Sequence, residues 1–263
     1  MTETIKLLDG SVWDKKELIK NMDNDDFYYN ECGKKMLSSS ICKTLLDSYK
    51  RYYLVNKYGQ KESQPLRDGW LFHTAILEPN LFGEQLVVDV QSKNTKMYKE
   101  ALEAAEEEKK GTKVFTLKEI KNAEKLADAF LKNSKLVQYL NKAQFEVPIA
   151  GEVMGMPFRG KADIISKEGW IIDLKTTTSI SKFRYSADTY CYDLQCYIYC
   201  HLFGVSYKDF KFIAIDKDST VAEFFNVSES FYLKGQDKCA KAIKEYKQWH
   251  GKDLDEYLKF SIL

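Results

Sequence analysis

No stretch of this 263-residue sequence approaches the roughly 18 consecutive apolar residues of a bilayer span, and no basic-then-apolar start marks a signal peptide. Neither a membrane partner nor export is therefore expected. The six cysteines (Cys32, Cys42, Cys191, Cys196, Cys200 and Cys239) lack the spacing of a disulfide framework, which without a signal reads as reduced thiols in an intracellular protein. Internal repeats and low-complexity segments are absent. Net charge is nearly absent too: +1 at pH 7 excludes no partner, because a basic binding face can be balanced elsewhere. What the chain does have is 44% hydrophobic residues, 14% of the total aromatic, which suffices for a packed core, and 30% charged residues for its surface. One domain over 1–263 is expected, with an extended lead-in over 1–35, a mainly helical part over 36–142, and a sheet core with a C-terminal helix over 143–263.

Helical spacing of Ile41, Leu45, Leu46, Tyr49, Tyr53 and Leu54 behind the serines at 38–40 predicts a helix over 38–58. Its exposed side carries Lys43, Lys50, Arg51 and Lys57, interleaved with Tyr49, Tyr52 and Tyr53. That pattern reads either as a grip on a phosphate backbone or as a solvated face. Pro65 opens and Pro79 closes a second helix, with Leu66, Trp70, His73 and Leu77 on one face. His73 there reads as a core histidine or a ligand. Gly69 costs about 1 kcal/mol relative to Ala inside a helix, which points to close packing near His73. A short strand over 86–90 precedes a highly charged helix over 98–110 ended by Gly111, and Thr116 caps an amphipathic helix. Ser134 caps a short helix through 140. Strands are expected from 143, a further hairpin over 211–226, and a long helix from Ser228 to about 249, with a turn over 253–258.

The most informative stretch lies at 159–178. Apolar runs on either side of the turn at 166–169 predict a hairpin of strands 156–165 and 169–175. Alternation puts Asp173 and Lys175 on one face, with Trp170, Ile172 and Leu174 on the other. Folding the hairpin brings Asp163 level with Asp173. Facing carboxylates destabilise a sheet unless something compensates. Salt bridges to Lys161 and Lys175 are one answer, and a divalent cation is the other. For the cation, the Leu174 carbonyl offers an oxygen and His73 a nitrogen, a set that suits Mg²⁺ or Mn²⁺. Lys175 stands ready to orient or deprotonate a water and to stabilise charge on an attacked phosphate. Gln195 and Tyr199 fall one turn apart on the following helix.

Asp163, nine residues, Asp173-Leu174-Lys175, then Gln195-x-x-x-Tyr199 resembles the PD-(D/E)xK nuclease superfamily. His73 within Gly69-x-x-x-His73, ahead of Leu77-Glu78-Pro79, narrows the likeness to the branch of RecB-type nucleases and the exonuclease VIII (RecE) group of phage exodeoxyribonucleases. The resemblance implies an α/β fold: a central mixed sheet of four or five strands, helices on both faces, and a restriction-endonuclease-like core. It makes His73, Asp163, Asp173 and the Leu174 carbonyl metal ligands, Lys175 the catalytic lysine, and Gln195 with Tyr199 supports of the site that contact DNA. Glu146 matches an acid on the preceding strand. Arg159, Lys161 and the basic helix are the expected DNA backbone contacts. Cys191, Cys196, Cys200 and Cys239 depart from the pattern of relatives that hold an iron–sulfur cluster, so none is expected. The implied activity is resection of duplex DNA ends, 5′→3′, in phage-type recombination within the cytoplasm of a bacterial host, with a single-strand annealing partner and a ring-shaped homo-oligomer. Two readings stand beside it: a RecB-like or structure-specific endonuclease, and a non-catalytic DNA-binding or assembly module.

Overall fold

A computed structural model describes residues 3–107 and 113–254. The chain begins with β1 (Thr4–Lys6), β2 (Val12–Asp14), α1 (Lys15–Asn21), a π-helical turn (Phe27–Glu31) and α2 (Cys32–Lys35). The helical part holds α3 (Ser39–Asp47), α4 (Tyr49–Tyr58), α5 (Gln64–Leu77), α6 (Pro79–Gly83), β3 (Leu86–Val88), α7 (Lys96–Glu107), β4 (Val114–Thr116), α8 (Leu117–Lys132) and α9 (Ser134–Val137). Then come β5 (Gln144–Val153), β6 (Met156–Ile165), β7 (Ile171–Thr177), α10 (Phe183–Thr189), α11 (Tyr192–Phe203), β8 (Phe210–Asp216), β9 (Ala222–Asn226) and α12 (Glu229–Trp249).

The last five strands form one sheet in the order β5-β6-β7-β8-β9. It is mixed, because β7 pairs with β8 in parallel while the other neighbours are antiparallel. The β6–β7 turn forms where Gly169 takes φ +82 and the Ser166 hydroxyl accepts the Glu168 and Trp170 N–H groups. Side-chain alternation splits the core in two. Ile172, Leu174, Ile213 and Ile215 face Phe72, Ile76, Leu126 and Phe130 of α5 and α8. Phe158, Phe210, Phe212 and Ala214 face Leu45, Leu194, Ile198 and Ala242 of α3, α11 and α12. α12 crosses α11 so closely at Gly235 that a Cβ there would lie 2.0 Å from the Asp193 carbonyl oxygen. The fold is thus the expected α/β arrangement, a five-stranded mixed sheet between two helical layers.

Several elements differ from expectation. The lead-in is folded: β1 and β2 pair antiparallel, and Ile5, Leu18, Met22, Tyr28 and Met36 bury themselves with Ala150. The helix over 38–58 is two helices, broken at Ser48, whose extended backbone (φ −170) lets its hydroxyl cap the second by accepting from Arg51 N. Tyr49 and Tyr52 turn inward to pack on Tyr246, so two of the three interleaved tyrosines belong to the core. β3 is joined by β4 in a small parallel ladder, a strand that was not expected ahead of Thr116. Asn133, one residue earlier than predicted, caps α9. Gly111 and residues 255–258 lie outside the described residues. No described helix is long and apolar enough to cross a membrane.

Candidate active site

Register alone gathers three acids. β6 and β7 pair at Ile165–Ile171 and Ile164–Ile172, and there the ladder stops. One more step of the same register sets Asp163 opposite Asp173. On the other side, Phe145–Ile164 and Val147–Ala162 flank an interrupted position, which sets Glu146 opposite Asp163. Glu146 holds φ +49, a left-handed backbone that non-glycine residues adopt at a cost of order 1–3 kcal/mol. Asp163 fills the fork between the strands by accepting the Leu174 N–H on Oδ2 at 2.8 Å. Three neighbouring strands therefore each contribute one carboxylate to a row.

Helices from both faces close on this fork. From α5, His73 places Nδ1 3.4 Å from Asp163 Oδ2 and Nε2 2.8 Å from the Leu174 carbonyl oxygen. From α11, the Gln195 amide donates to Asp173 Oδ1. Lys175, two residues along β7, pairs its ammonium with Asp173 Oδ2 and lies 4.8 Å from the centre of the Tyr192 ring. His73, Glu146 and Asp163 offer ligand atoms that all lie within 4.8 Å of one another, the one such group of three among the described residues.

Burial sets the electrostatics. It pushes the Glu146 carboxyl up to about 8, with Asp163 and Glu78 adding their negative charge. Burial also raises Asp173, against the pull of Lys175. It works to lower Lys175, but Asp173 and Asp163 outweigh it and keep the ammonium charged. The acids near His73 thus exceed their cations, and the donor set of two carboxylates, Glu146 and Asp163, with one imidazole, and Asp173 beside it, suits a hard divalent ion. The residues fit Mg²⁺ or Mn²⁺.

A family model described as a PDDEXK-like domain of unknown function (DUF3799) matches residues 38–255. The chain belongs to this PDDEXK-like family. Among solved structures, one from Eubacterium rectale, provisionally named an exonuclease, superposes with a TM-score of 0.59 at 14% identity, over 91% of this chain and 95% of that one. At that identity the likeness shows a shared fold. A phage-related exonuclease from Haemophilus somnus aligns at a TM-score of 0.31 and 16% identity, over 61% of this chain and 89% of its own, too low to bear on the fold. A search of curated proteins finds no match.

Within this PDDEXK-like site, the Leu174 carbonyl lies 2.8 Å from His73 Nε2, so two of the expected ligand atoms face one another. The buried Tyr199 hydroxyl donates to the Lys161 carbonyl at 3.0 Å and so braces β6 from within the core. Gly160 permits that approach, since a Cβ would meet Tyr199 at 3.0 Å. Arg159 and Lys161 are covered by the folded lead-in. The buried Arg159 guanidinium lies 4.2 Å from the centre of the Tyr28 ring, and Lys161 pairs with Asp25 at 2.5 Å. Both hold the N-terminal segment against the sheet, which leaves little of either side chain open to a phosphate. Lys43, Lys50 and Arg51 are exposed, Arg51 paired with Asp47. The expected site omits Tyr192, although it lies one helical turn before Gln195 on the same face, Glu78, although it stands in the Leu77-Glu78-Pro79 stretch after His73, and Asp25, which no motif announces.

Proposed function

We propose that the protein is a metal-dependent DNA exonuclease that hydrolyses phosphodiester bonds at duplex ends. The observation that carries this reading is the convergence of His73, Glu146 and Asp163 within 4.8 Å, beside an Asp173–Lys175 pair. His73 through Nδ1, Glu146 and Asp163 would hold the ion, with Asp173 next to them. A bound Mg²⁺ or Mn²⁺ supplies Lewis-acid polarisation of the phosphate and lowers the pKa of water. The chain's own residues do the rest. Lys175, kept as an ammonium, neutralises Asp173 and donates toward charge that grows on a phosphate oxygen. Gln195 fixes the rotamer of the Asp173 carboxylate, and the Leu174 carbonyl fixes His73. Membership of a PDDEXK-like family supports the nuclease class. The 5′→3′ polarity, the role in phage-type recombination, a ring assembly and an annealing partner belong to the same proposal, on the likeness to the RecE group.

A digest of end-labelled linear duplex with Mg²⁺ or Mn²⁺, run beside closed circular duplex, tests it. Mononucleotide release from the 5′ end with circles left intact is expected. Efficient cutting of circles would replace the reading with an endonuclease, and no cleavage of either substrate would leave a DNA-binding module.

A further inference from the structure

Beyond the acid cluster, a track of two aromatic rings between two cations leads away from Lys175. The Lys175 ammonium sits 4.8 Å from the centre of the Tyr192 ring. Tyr192 lies 6.0 Å from Tyr190, ring centre to ring centre. Tyr190 in turn has the Lys43 ammonium 4.8 Å from its own centre. Tyr190 then forms one wall of a cleft of about 340 Å³ lined with Lys182, Tyr185, Ser186 and Thr189. Both rings stand open to solvent: Tyr190 is 51% exposed and Tyr185 71%. The backbone between Tyr190 and Tyr192 is also unusual, since Cys191 takes the left-handed conformation (φ +56) at the start of α11. Such conformations cost free energy and persist where the surroundings impose them. Here the kink keeps Tyr190 facing solvent while Tyr192 faces the catalytic lysine.

The charge along the track is one-sided. Lys43 and Lys182 are exposed, and the acid of α10, Asp188, is taken up by Lys234 and Lys238. Exposed rings spaced between cations are the arrangement on which bases stack while ammonium groups follow the backbone. Stacking tolerates any sequence, as every base has a π-face.

We infer that this track binds single-stranded DNA and guides one strand between Lys43 and the catalytic site. The inference rests on the nuclease reading only for the strand's destination. Binding can be measured without cleavage, by anisotropy of a labelled oligo-dT of about 15 nucleotides, near the upper site size of single-strand binders, in EDTA. Tyr190→Ala should weaken affinity roughly 5- to 150-fold, the range for loss of one stacked base, while Tyr190→Phe keeps it. Lys43→Gln should lower the slope of log affinity against log salt by about 0.7. Equal affinity of the native chain and Tyr190→Ala would overturn the track and leave the nuclease reading standing. So would a native chain that binds no oligo-dT, or Tyr190→Ala weakening a blunt duplex just as much. Tyr190-dependent binding without any cleavage in Mg²⁺ or Mn²⁺ would keep the track and remove the nuclease.

Discussion

Two clusters of buried charge hang from α5, Arg67 near its start and His73 near its end, about 9 Å apart along the helix, and they settle burial in opposite ways. Around Arg67 the charges close on themselves. Its guanidinium reaches Glu119 at 2.8 and 3.2 Å, Glu62 at 2.7 Å and the Val114 carbonyl at 2.7 Å, and it stacks 4.3 Å from the Phe115 ring centre. Glu119 also accepts the Thr116 N–H in a capping box. Around His73, by contrast, Glu146, Asp163 and Asp173, with Glu78 and Asp25 nearby, outnumber one imidazole and the ammonium groups of Lys161 and Lys175. Two glutamates on one scaffold consequently move apart. Burial raises both, but Arg67, Thr116 and Gln64 hold Glu119 well below the usual carboxylate range, while Glu146 ends up at about 8. A closed cluster is structure. An open one is completed by protons or by a cation, and perturbed carboxylates of that second kind gather at functional sites.

The largest effect expected is on the open cluster. Lys175→Ala removes its ammonium and should lower DNA hydrolysis about 10²- to 10³-fold, measured on end-labelled duplex, the range for losing one preorganised charge stabiliser. An activity within threefold of native would remove Lys175 from the catalytic apparatus. Next comes Arg67→Ala, which leaves Glu119 buried without its main partner and should cost about 3–5 kcal/mol in urea unfolding. Glu146→Gln makes the sharper contrast. It relieves repulsion, so without divalent ions it should be neutral or stabilising by about 1 kcal/mol. It should also shrink the stabilisation that millimolar Mn²⁺ gives the native chain. If Glu146→Gln destabilised the metal-free chain as Arg67→Ala does, the two clusters would be alike and the distinction would fail.

The two glutamates also predict opposite pH slopes. Glu119 has a folded pKa below its unfolded value, so its contribution is present above about pH 4.3 and is lost as pH falls from there. Glu146 has a folded pKa raised to about 8, so the folded state holds a proton that the unfolded state has released. Its contribution therefore grows as pH falls from about 8 and shrinks as pH rises toward it. In EDTA, the stability difference between the native chain and Glu146→Gln should shift between about pH 5 and 8, whereas that between the native chain and Glu119→Gln should stay level there and fall only below about pH 5. A flat difference for Glu146 would show that water reaches its carboxylate.

How much of this the sequence revealed depended on the range of the interaction. Strand alternation and a Gly169 turn are local, so the β6–β7 hairpin and the pairing of Asp163 with Asp173 could be read residue by residue. His73 and Gln195 reach the fork from opposite faces of the sheet, and only the ordered motif, matched to a family, brought them in. The lead-in defeated local reading because its short elements are held by contacts with the distant β5 and β6: Lys161 with Asp25, and Arg159 with Tyr28. Those contacts took two predicted DNA-facing cations out of solvent. Tyr190 and Tyr192 follow the same rule, since no local pattern shows that their rings line up with Lys43 and Lys175.

The smallest effect tests a misread glycine. Gly69 sits between Arg67 and His73 in α5, where it suggested close packing. A Cβ at that position would meet only Thr176 Oγ1, at 3.9 Å, an ordinary contact. Its φ lies outside the left-handed region, so alanine fits the backbone without strain. Helix propensity and the lost freedom of the unfolded chain then favour Gly69→Ala by about 0.4–1 kcal/mol. Thermal melting should register that gain with nuclease activity unchanged. A loss of stability would mean that α5 must yield at Gly69 to seat both clusters at once, which would make the closed cluster at Arg67 a support for the open one at His73.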